Sequence, residues 1–230
     1  MNKKESNIQI DWTQNISNIE EKLIVANKVA EFVKSGDVIG FGSGSTSLLA
    51  VREIAKKVSV ESLKITAVPT SQEIKAECKR LNIPVVAIGE IKPDWAFDGA
   101  DEVDSNNWLI KGRGGAMFKE KQVIAMSPKT YILIDKSKLV KSLGDKCPVP
   151  VECEIGACDS VKEALLRLGA KDVSLRYTSE STPYITEQGN YILDCKLSNI
   201  TSTLEREINN IAGVVENGLF IGYNIEIIQA

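Results

Sequence analysis

Charged residues and glycines are concentrated in one short part of the chain. Residues 97–104 read FDGADEVD, residues 109–116 read LIKGRGGA, and Glu120 and Lys121 follow. Carboxylates accept hydrogen bonds from hydroxyl groups and exchange protons with them. A lysine beside them can balance negative charge that develops on an enolate. This part of the chain therefore predicts acid–base chemistry on a small, polyhydroxylated substrate.

Asp98 and Asp101 are predicted to follow a buried strand. The apolar run Trp95–Phe97 precedes them, and open α/β sheets bind their ligands at the carboxyl ends of the strands. Their spacing lets a tight turn direct both carboxylates at one ligand. A solvated acidic loop is the alternative interpretation. A metal site is less favoured, because Ala100 and Val103 interrupt the EF-hand pattern and no DxD pair is present.

Lys111 and Arg113 lie on a glycine-rich loop beside these carboxylates, and Glu120 lies on a predicted helix after the loop. The chain contains no histidine, so proton transfer near neutral pH depends on carboxylates or lysines. A carboxylate in a cleft is then the natural general base, which makes Glu120 the candidate. The alternatives are an exposed basic turn for the loop and a solvent-exposed helix position for Glu120.

A second glycine loop, GSGST at residues 42–46, follows the apolar run Val38–Phe41 and opens a predicted helix. In this context backbone N–H groups and the helix N-terminus hold a phosphate or another oxyanion. The loop matches neither a Walker A motif nor GxGxxG, because Ser47 occupies the third glycine position. A nucleotide is therefore disfavoured. A glycine-rich turn without a ligand is the alternative.

Composition excludes several classes of protein. The 230 residues are 43% hydrophobic, which is enough for a packed core, and the formal net charge is −3. Without a basic surplus, nucleic acid is not an expected partner. No apolar stretch approaches about 18 residues and the N-terminus is polar, so we expect no membrane association and a cytoplasmic location.

The five cysteines form no CxxC pair. Together with the absence of histidine, this removes the usual patterns of zinc ligands. We therefore expect no zinc site, and we expect the cysteines to be reduced, small core residues.

Hydrophobic periodicity and turn residues predict an α/β fold with two domains. A capping box at 17–20 begins a helix at 19–34, and Gly36 is its expected C-terminal cap. The remaining predicted helices are 45–57, 71–81, 116–126, 159–168 and 203–211. The predicted strands are 37–41, 64–68, 85–88, 95–97, 130–135, 151–155, 172–178, 191–197, 214–221 and 224–228.

The order of these elements changes at the two prolines within residues 146–150. Before them, alternating strands and helices predict a doubly wound, mostly parallel sheet. After them, a β-α-β-β-α-β order predicts a smaller, ferredoxin-like α+β domain. We expect residues 1–146 and 222–230 to form a Rossmann-like catalytic domain, and residues 147–221 to form the small domain at an oligomer interface. Residues before 17 are expected to be a loose arm anchored by Trp12.

Taken together, these motifs resemble those of type A ribose-5-phosphate isomerases. The resemblance rests on GSGST at 42–46, DGADE at 98–102, Lys111 with the glycines after it, Glu120-Lys121, and DKSK at 135–138. It implies an aldose–ketose isomerase that interconverts ribose 5-phosphate and ribulose 5-phosphate through a cis-enediolate, in the non-oxidative pentose phosphate pathway. It also implies a sugar phosphate as the small-molecule partner, no metal or other cofactor, and a homodimer or a dimer of dimers.

The resemblance assigns roles to individual residues. Glu120 resembles the base that moves a proton between C1 and C2, and Asp98, Asp101 and Lys111 resemble the groups that open the furanose, hold its hydroxyls and balance the enediolate charge. The substrate-binding residues that it implies are Ser43, Gly44, Ser45, Thr46, Gly99, Ala100, Gly112, Arg113, Gly114, Lys22 and Lys138, and the two lysines assist the phosphate loop. Ser43 replaces a usual threonine, and Arg113 stands where a glycine is usual.

A sugar-phosphate sensor that binds without reacting is the main alternative. Such regulators usually carry a helix-turn-helix, and the residues before the first predicted helix are too few for one. A related sugar-phosphate deaminase or acyl-CoA transferase shares the glycine loops. Neither of these enzymes explains why the carboxylates, Lys111 and Glu120 occur together.

Overall fold

The computed structural model describes residues 16–179 and 181–230. The predicted arm and Trp12 lie outside the described residues. The strands are β1 (Val38–Phe41), β2 (Thr66–Pro69), β3 (Trp95–Gly99), β4 (Glu102–Val103), β5 (Leu109–Ile110), β6 (Thr130–Ile134), β7 (Val149–Cys153), β8 (Asp172–Leu175), β9 (Tyr177–Ser179), β10 (Thr182–Pro183), β11 (Tyr191–Lys196), β12 (Val214–Asn217), β13 (Leu219–Phe220) and β14 (Ile225–Gln229). The helices are α1 (Ile19–Ala30), α2 (Gly44–Val60), α3 (Gln72–Arg80), α4 (Met117–Met126), α5 (Cys158–Arg167) and α6 (Leu204–Asn209).

The centre of the fold is a five-stranded sheet in the order β2-β1-β3-β6-β14, and every neighbouring pair in it is parallel. The last strand, β14, returns to this sheet beside β6, as predicted. In chain order the arrangement is 2-1-3-4-5, so the direction of winding reverses between β1 and β3. The loops that follow β1 and β3 therefore meet at the carboxyl edge of the sheet.

Helix α1 begins at Ile19, as predicted, but its N-terminal cap and its C-terminal end differ from the prediction. The predicted capping box is wrong, because Asn18 is the N-cap in a left-handed conformation and its side chain makes no capping hydrogen bond. Asparagine tolerates this conformation well. The helix ends at Ala30, and two turns follow in which Phe32 N and Val33 N donate to carbonyls three residues earlier. Gly36, with φ of +100°, donates to Lys64 O instead of capping the helix.

Three predicted strands also differ from the structure. The strand predicted at 85–88 is a single bridge between Val85 and Ala67. Pro84 contributes no N–H there, and a turn begins where Glu90 N donates to Ala87 O. The strand predicted at 172–178 is divided into β8 and β9, and β9 leaves the sheet to pair with β10. The strand predicted at 214–221 is divided at Gly218 into β12 and β13.

A second, antiparallel sheet has the order β12-β7-β11-β8. With α5 and α6 it follows the predicted β-α-β-β-α-β pattern, and its own apolar core includes Val151, Leu165, Leu193 and Ile208. The fold class is thus confirmed as a parallel α/β sheet with a smaller antiparallel α+β part. The exact domain limits and the oligomer interface stay predictions.

A short three-stranded sheet, β4-β5-β13, places the glycine loop. Lys111 follows β5 directly, and its backbone N–H donates to Gly218 O, just before β13. Lys111 therefore begins the loop from a fixed backbone position. Among residues 16–179 and 181–230, no helix combines the length and the apolar character needed to cross a membrane.

Candidate active site

One cleft collects nearly all of the predicted site residues. It lies where the loops after β1 and β3 meet the glycine loop and α4. Its lining consists of Lys22, Ser43, Gly44, Ser45, Thr46, Gly99, Ala100, Asp101, Lys111, Gly112, Arg113, Gly114, Glu120 and Lys138. Of the predicted site residues, only Asp98 is absent from this lining, because its side chain is buried beneath the cleft wall.

Lys111 lies between two buried carboxylates. Its Nζ atom is 2.9 Å from Oδ2 of Asp98 and 3.2 Å from Oε2 of Glu120, and it donates to Gly99 O at 2.5 Å. All three charged side chains are at most 6% exposed. With each group in its ordinary ionised form, the trio carries one surplus negative charge in a region of low dielectric. A stored proton or a bound cation would relieve that charge.

The trio shifts the pKa values of its members. Burial, and then the negative charge of Glu120, raise the pKa of Asp98 to about 7, although Lys111 acts in the opposite direction. Burial disfavours the Lys111 ammonium, but the carboxylates of Asp98 and Glu120 outweigh it and raise the pKa of Lys111 above its usual value. Lys111 is therefore a permanent cation, and Asp98 is a carboxyl group able to exchange a proton near neutral pH.

Backbone contact fixes Asp98 against the loop after β1. Its Oδ1 accepts hydrogen bonds from Gly99 N at 2.7 Å, Ser43 N at 3.1 Å and Ser47 Oγ at 3.3 Å. A Cβ atom at position 42 would lie 2.2 Å from Cγ of Asp98, so only glycine fits there. Neither Gly42 nor Ser47 is among the site residues predicted from the sequence, where Gly42 opens the glycine loop and Ser47 only departs from GxGxxG.

The loop at 43–46 forms a cradle for an anion. Helix α2 begins at Gly44, and the Ser43 side chain does not cap it, which leaves the first amides of the helix available to a ligand. Lys22 Nζ donates to Ser45 Oγ at 3.0 Å. Burial, and then the positive charge of Lys138, lower the pKa of Lys22. Two lysines that repel each other beside a helix N-terminus are a favourable setting for a phosphate dianion.

Asp101 and Arg113 are joined through the backbone. Arg113 N donates to Oδ2 of Asp101 at 3.0 Å, while the Arg113 side chain is exposed. Asp101 itself is half-buried and lines the cleft. Asp101 therefore faces the ligand space with one oxygen anchored to the glycine loop.

The sequence of this chain matches one known protein family over most of its length. Residues 66–230 match the sequence model of the family described as ribose 5-phosphate isomerase A (phosphoriboisomerase A). The ribose-5-phosphate isomerase A of Methanocaldococcus jannaschii is 44% identical over 208 residues, which cover 89% of this chain and 92% of that protein. The chain belongs to this family. The namesake protein of Thermosynechococcus vestitus is 40% identical over 204 residues, 87% of this chain and 86% of its own.

Solved structures of the family share the fold. Ribose 5-phosphate isomerase A from M. jannaschii superposes with a TM-score of 0.88 at 40% identity, over 92% of this chain and 95% of its own. A D-ribose-5-phosphate isomerase solved in complex with phospho-erythronic acid gives a TM-score of 0.87 at 34% identity, with the same coverage of both chains. The resemblance drawn from the sequence motifs is thus confirmed for the family and the fold.

Three side chains near the site of this family member were missed by the sequence analysis. Arg176 and Tyr184 contact the carbonyls of the glycine loop, and the Phe220 ring lies 5.7 Å from Lys111 Nζ. No local signal marks them, because each is far along the chain from the residues that it contacts. Lys121 turns away from the cleft and pairs with Glu205 and Glu216, both at 2.8 Å.

Proposed function

We propose that this protein interconverts D-ribose 5-phosphate and D-ribulose 5-phosphate by proton transfer between C1 and C2 through a cis-enediolate. The observation that carries this proposal is the buried Lys111 between Asp98 and Glu120, in one cleft with the anion cradle. The relative in complex with phospho-erythronic acid supports it, because that acid combines a phosphate with a carboxylate whose two oxygens share charge, as the oxygens of an enediolate do.

The phosphate would bind at the N-terminus of α2. Backbone amides at 44–46 and the Ser45 and Thr46 hydroxyls are its donors, and Lys22 and Lys138 balance its charge. This placement fixes one end of the substrate. The carbonyl end then extends toward Lys111 and Glu120, which line the same cleft.

Ring opening requires a proton for the ring oxygen and an acceptor for the proton of the C1 hydroxyl. Lys111 is a permanent cation in the cleft lining, and it can donate a hydrogen bond to the ring oxygen while negative charge develops there. Asp101 lines the cleft and is the carboxylate that can take the proton of the C1 hydroxyl and return it to the ring oxygen, as the bond between C1 and that oxygen breaks. Asp98 contacts Lys111 from behind the wall, so its role is to position the ammonium.

Glu120 is the base of the isomerisation. Its carboxylate takes the C2 proton of the open aldose, and the C2–H electron pair becomes the C1–C2 double bond of the enediolate while the carbonyl oxygen gains charge. The same carboxyl group returns the proton to C1, and the hydroxyl proton moves from O2 to O1, which yields the ketose. Lys111, 3.2 Å from Oε2 of Glu120, balances the enediolate charge.

We also propose that the reaction needs no metal. The described residues contain no group of three or more His, Cys, Asp and Glu side chains arranged to hold a metal ion. The ammonium of Lys111 already occupies the space between Asp98 and Glu120, where it would repel a divalent cation and serves the same electrostatic purpose.

A sensor that binds without reacting would require the anion cradle alone. The buried trio adds an acid, a base and a cation, and burying these groups costs stability. Binding alone gives no reason for that cost, so an enzyme is the function that the geometry favours.

The cellular setting and the assembly are part of the same proposal. We place the protein in the cytoplasm, because all five cysteines are free thiols, as is usual in a reducing compartment.

We propose a homodimer that uses the small domain, because Ile155, Leu166, Tyr177 and Ile185 there are 43–56% exposed. Light scattering of the purified protein would measure its mass, and a monomer would contradict this proposal.

The decisive experiment combines activity and metal removal. The protein is dialysed exhaustively against EDTA and then incubated with ribose 5-phosphate in chelated buffer, while ketose formation is followed. We expect full activity. An inactive protein that stays inactive with added magnesium or manganese would refute the isomerase. An activity that only returns with one of these metals would refute the metal-free mechanism.

A further inference from the structure

Two side chains from the small domain hold three consecutive carbonyls of the glycine loop. Arg176 Nη1 donates to Gly112 O at 2.9 Å and to Arg113 O at 3.0 Å. The Tyr184 hydroxyl donates to Gly114 O at 3.0 Å. These carbonyls belong to the loop that carries Lys111 into the cleft. A loop with three glycines has little intrinsic order, so these contacts define its shape.

The two side chains are themselves held in place. Arg176 Nε donates to Oδ2 of Asp194 at 2.9 Å, and Nη2 pairs with the other oxygen of the same carboxylate. The guanidinium thus donates from two edges, one toward Asp194 on β11 and one toward the loop. Tyr184 N donates to Arg176 O at 2.9 Å, which links the two residues across the β9–β10 hairpin.

Fixing a carbonyl also fixes the amide on the opposite edge of the same peptide. In a trans peptide the C=O of one residue and the N–H of the next point in opposite directions. The peptide between residues 112 and 113 shows this arrangement, because its carbonyl accepts from Arg176 while Arg113 N donates to Asp101. In the next peptide the Arg113 carbonyl also accepts from Arg176, so the N–H of Gly114 points away from the guanidinium.

We propose that Arg176 and Tyr184 are positioning residues for the isomerisation. They orient the peptides of residues 112–114 so that Asp101 and Lys111 keep their places and the Gly114 N–H faces the substrate. This inference rests on the proposed function. It predicts that the chemical step, and not phosphate binding, depends on these side chains, because the anion cradle belongs to a different loop.

The test compares Arg176→Met and Tyr184→Phe with the wild type in steady-state kinetics on ribose 5-phosphate. Lys196→Met is the matched control, because its exposed pair with Asp172 lies on the same sheet without contact to the loop. We expect kcat to fall about tenfold to a hundredfold in Arg176→Met, the scale for a misplaced catalytic group. Tyr184→Phe should lose less, KM should change little, and the control should match the wild type.

Hydrogen–deuterium exchange supplies a second readout that does not depend on activity. Peptides covering residues 112–116 should exchange faster in both variants than in the wild type, while those covering 43–47 should not change. Tyr184→Phe removes only one hydroxyl and should still fold. If Arg176→Met does not fold, the kinetics and exchange of Tyr184→Phe test the positioning role without it. An active wild type with unchanged kcat in both variants, or lower kcat with unchanged loop exchange, would overturn the positioning role. An inactive wild type would refute the proposed function instead.

Discussion

The hydroxyl of Ser43 donates a hydrogen bond of 2.5 Å to Oε1 of Glu120. The other oxygen of Glu120 lies 3.2 Å from Lys111 Nζ. The candidate base is therefore held at both oxygens, by the anion cradle on one side and by the glycine loop on the other. Serine at position 43 supplies the hydroxyl that makes this contact.

Replacing Glu120 by glutamine should cut turnover by at least about a hundredfold, the usual scale for the loss of a general base. Glutamine keeps an oxygen that can accept from Ser43 but cannot take a proton from C2. Substrate binding, measured by calorimetry, should remain near the wild-type value. Glu163→Gln on the exposed face of α5 is the matched control. Turnover near the wild-type rate would remove Glu120 from the mechanism.

Replacing Lys111 by alanine should slow the chemical step and destabilise the fold. The change leaves two buried carboxylates without their shared cation, and removing one partner of a buried ion pair costs about 3–5 kcal/mol. Kinetics would separate kcat from KM, and urea denaturation would give the free energy of unfolding. A change confined to KM would show that Lys111 only binds. An unchanged unfolding free energy would contradict the ionic role of the trio.

The sequence was most informative where chemistry depends on local order. Residue types and their spacing pointed to the cleft lining at 43–46, 99–101 and 111–114 and to Asp98 beneath it. In the structure each of these loops follows a strand of a sheet. Local patterns do not report partners from another part of the chain. Arg176 reads as one residue of a continuous strand, and only the tertiary fold brings it to Gly112. The prediction of a strand at 85–88 was wrong for a similar reason. Apolar composition does not show whether a segment has a neighbouring strand to pair with, and this one makes a single bridge.

The pH dependence of stability should reveal the raised pKa of Asp98. Its pKa is about 7 in the folded protein, against an ordinary value of 3.8, so the native state binds more protons than the unfolded state between these values. The stability that Asp98 contributes is then fully present below pH 3.8 and is lost as the pH rises through about 7.

Asp98→Asn removes this titration. The unfolding free energy of the wild type minus that of the variant should fall between about pH 4 and 7 and level off above about pH 8. Urea denaturation at several pH values across this range measures it, with the exposed Asp159→Asn as the control. A difference that rises with pH would mean that the Lys111 contact outweighs burial, and would contradict the raised pKa.

Replacing Ser45 or Thr46 by alanine should weaken the binding of ribose 5-phosphate. Each hydroxyl would lose a hydrogen bond to a charged oxygen, worth about 1 to 3 kcal/mol. The Ser45 variant also releases Lys22, which donates to the hydroxyl, so we expect the larger loss there. Calorimetric titration would measure both losses. Ser160→Ala is the matched control, because Ser160 is an exposed residue of α5 whose hydroxyl donates to Ala157 O. The cradle should contact the phosphate and not the sugar. The affinity for ribose without a phosphate should therefore be the same in both variants as in the wild type. Equal losses for both ligands would place these hydroxyls against the sugar and move the phosphate elsewhere in the cleft.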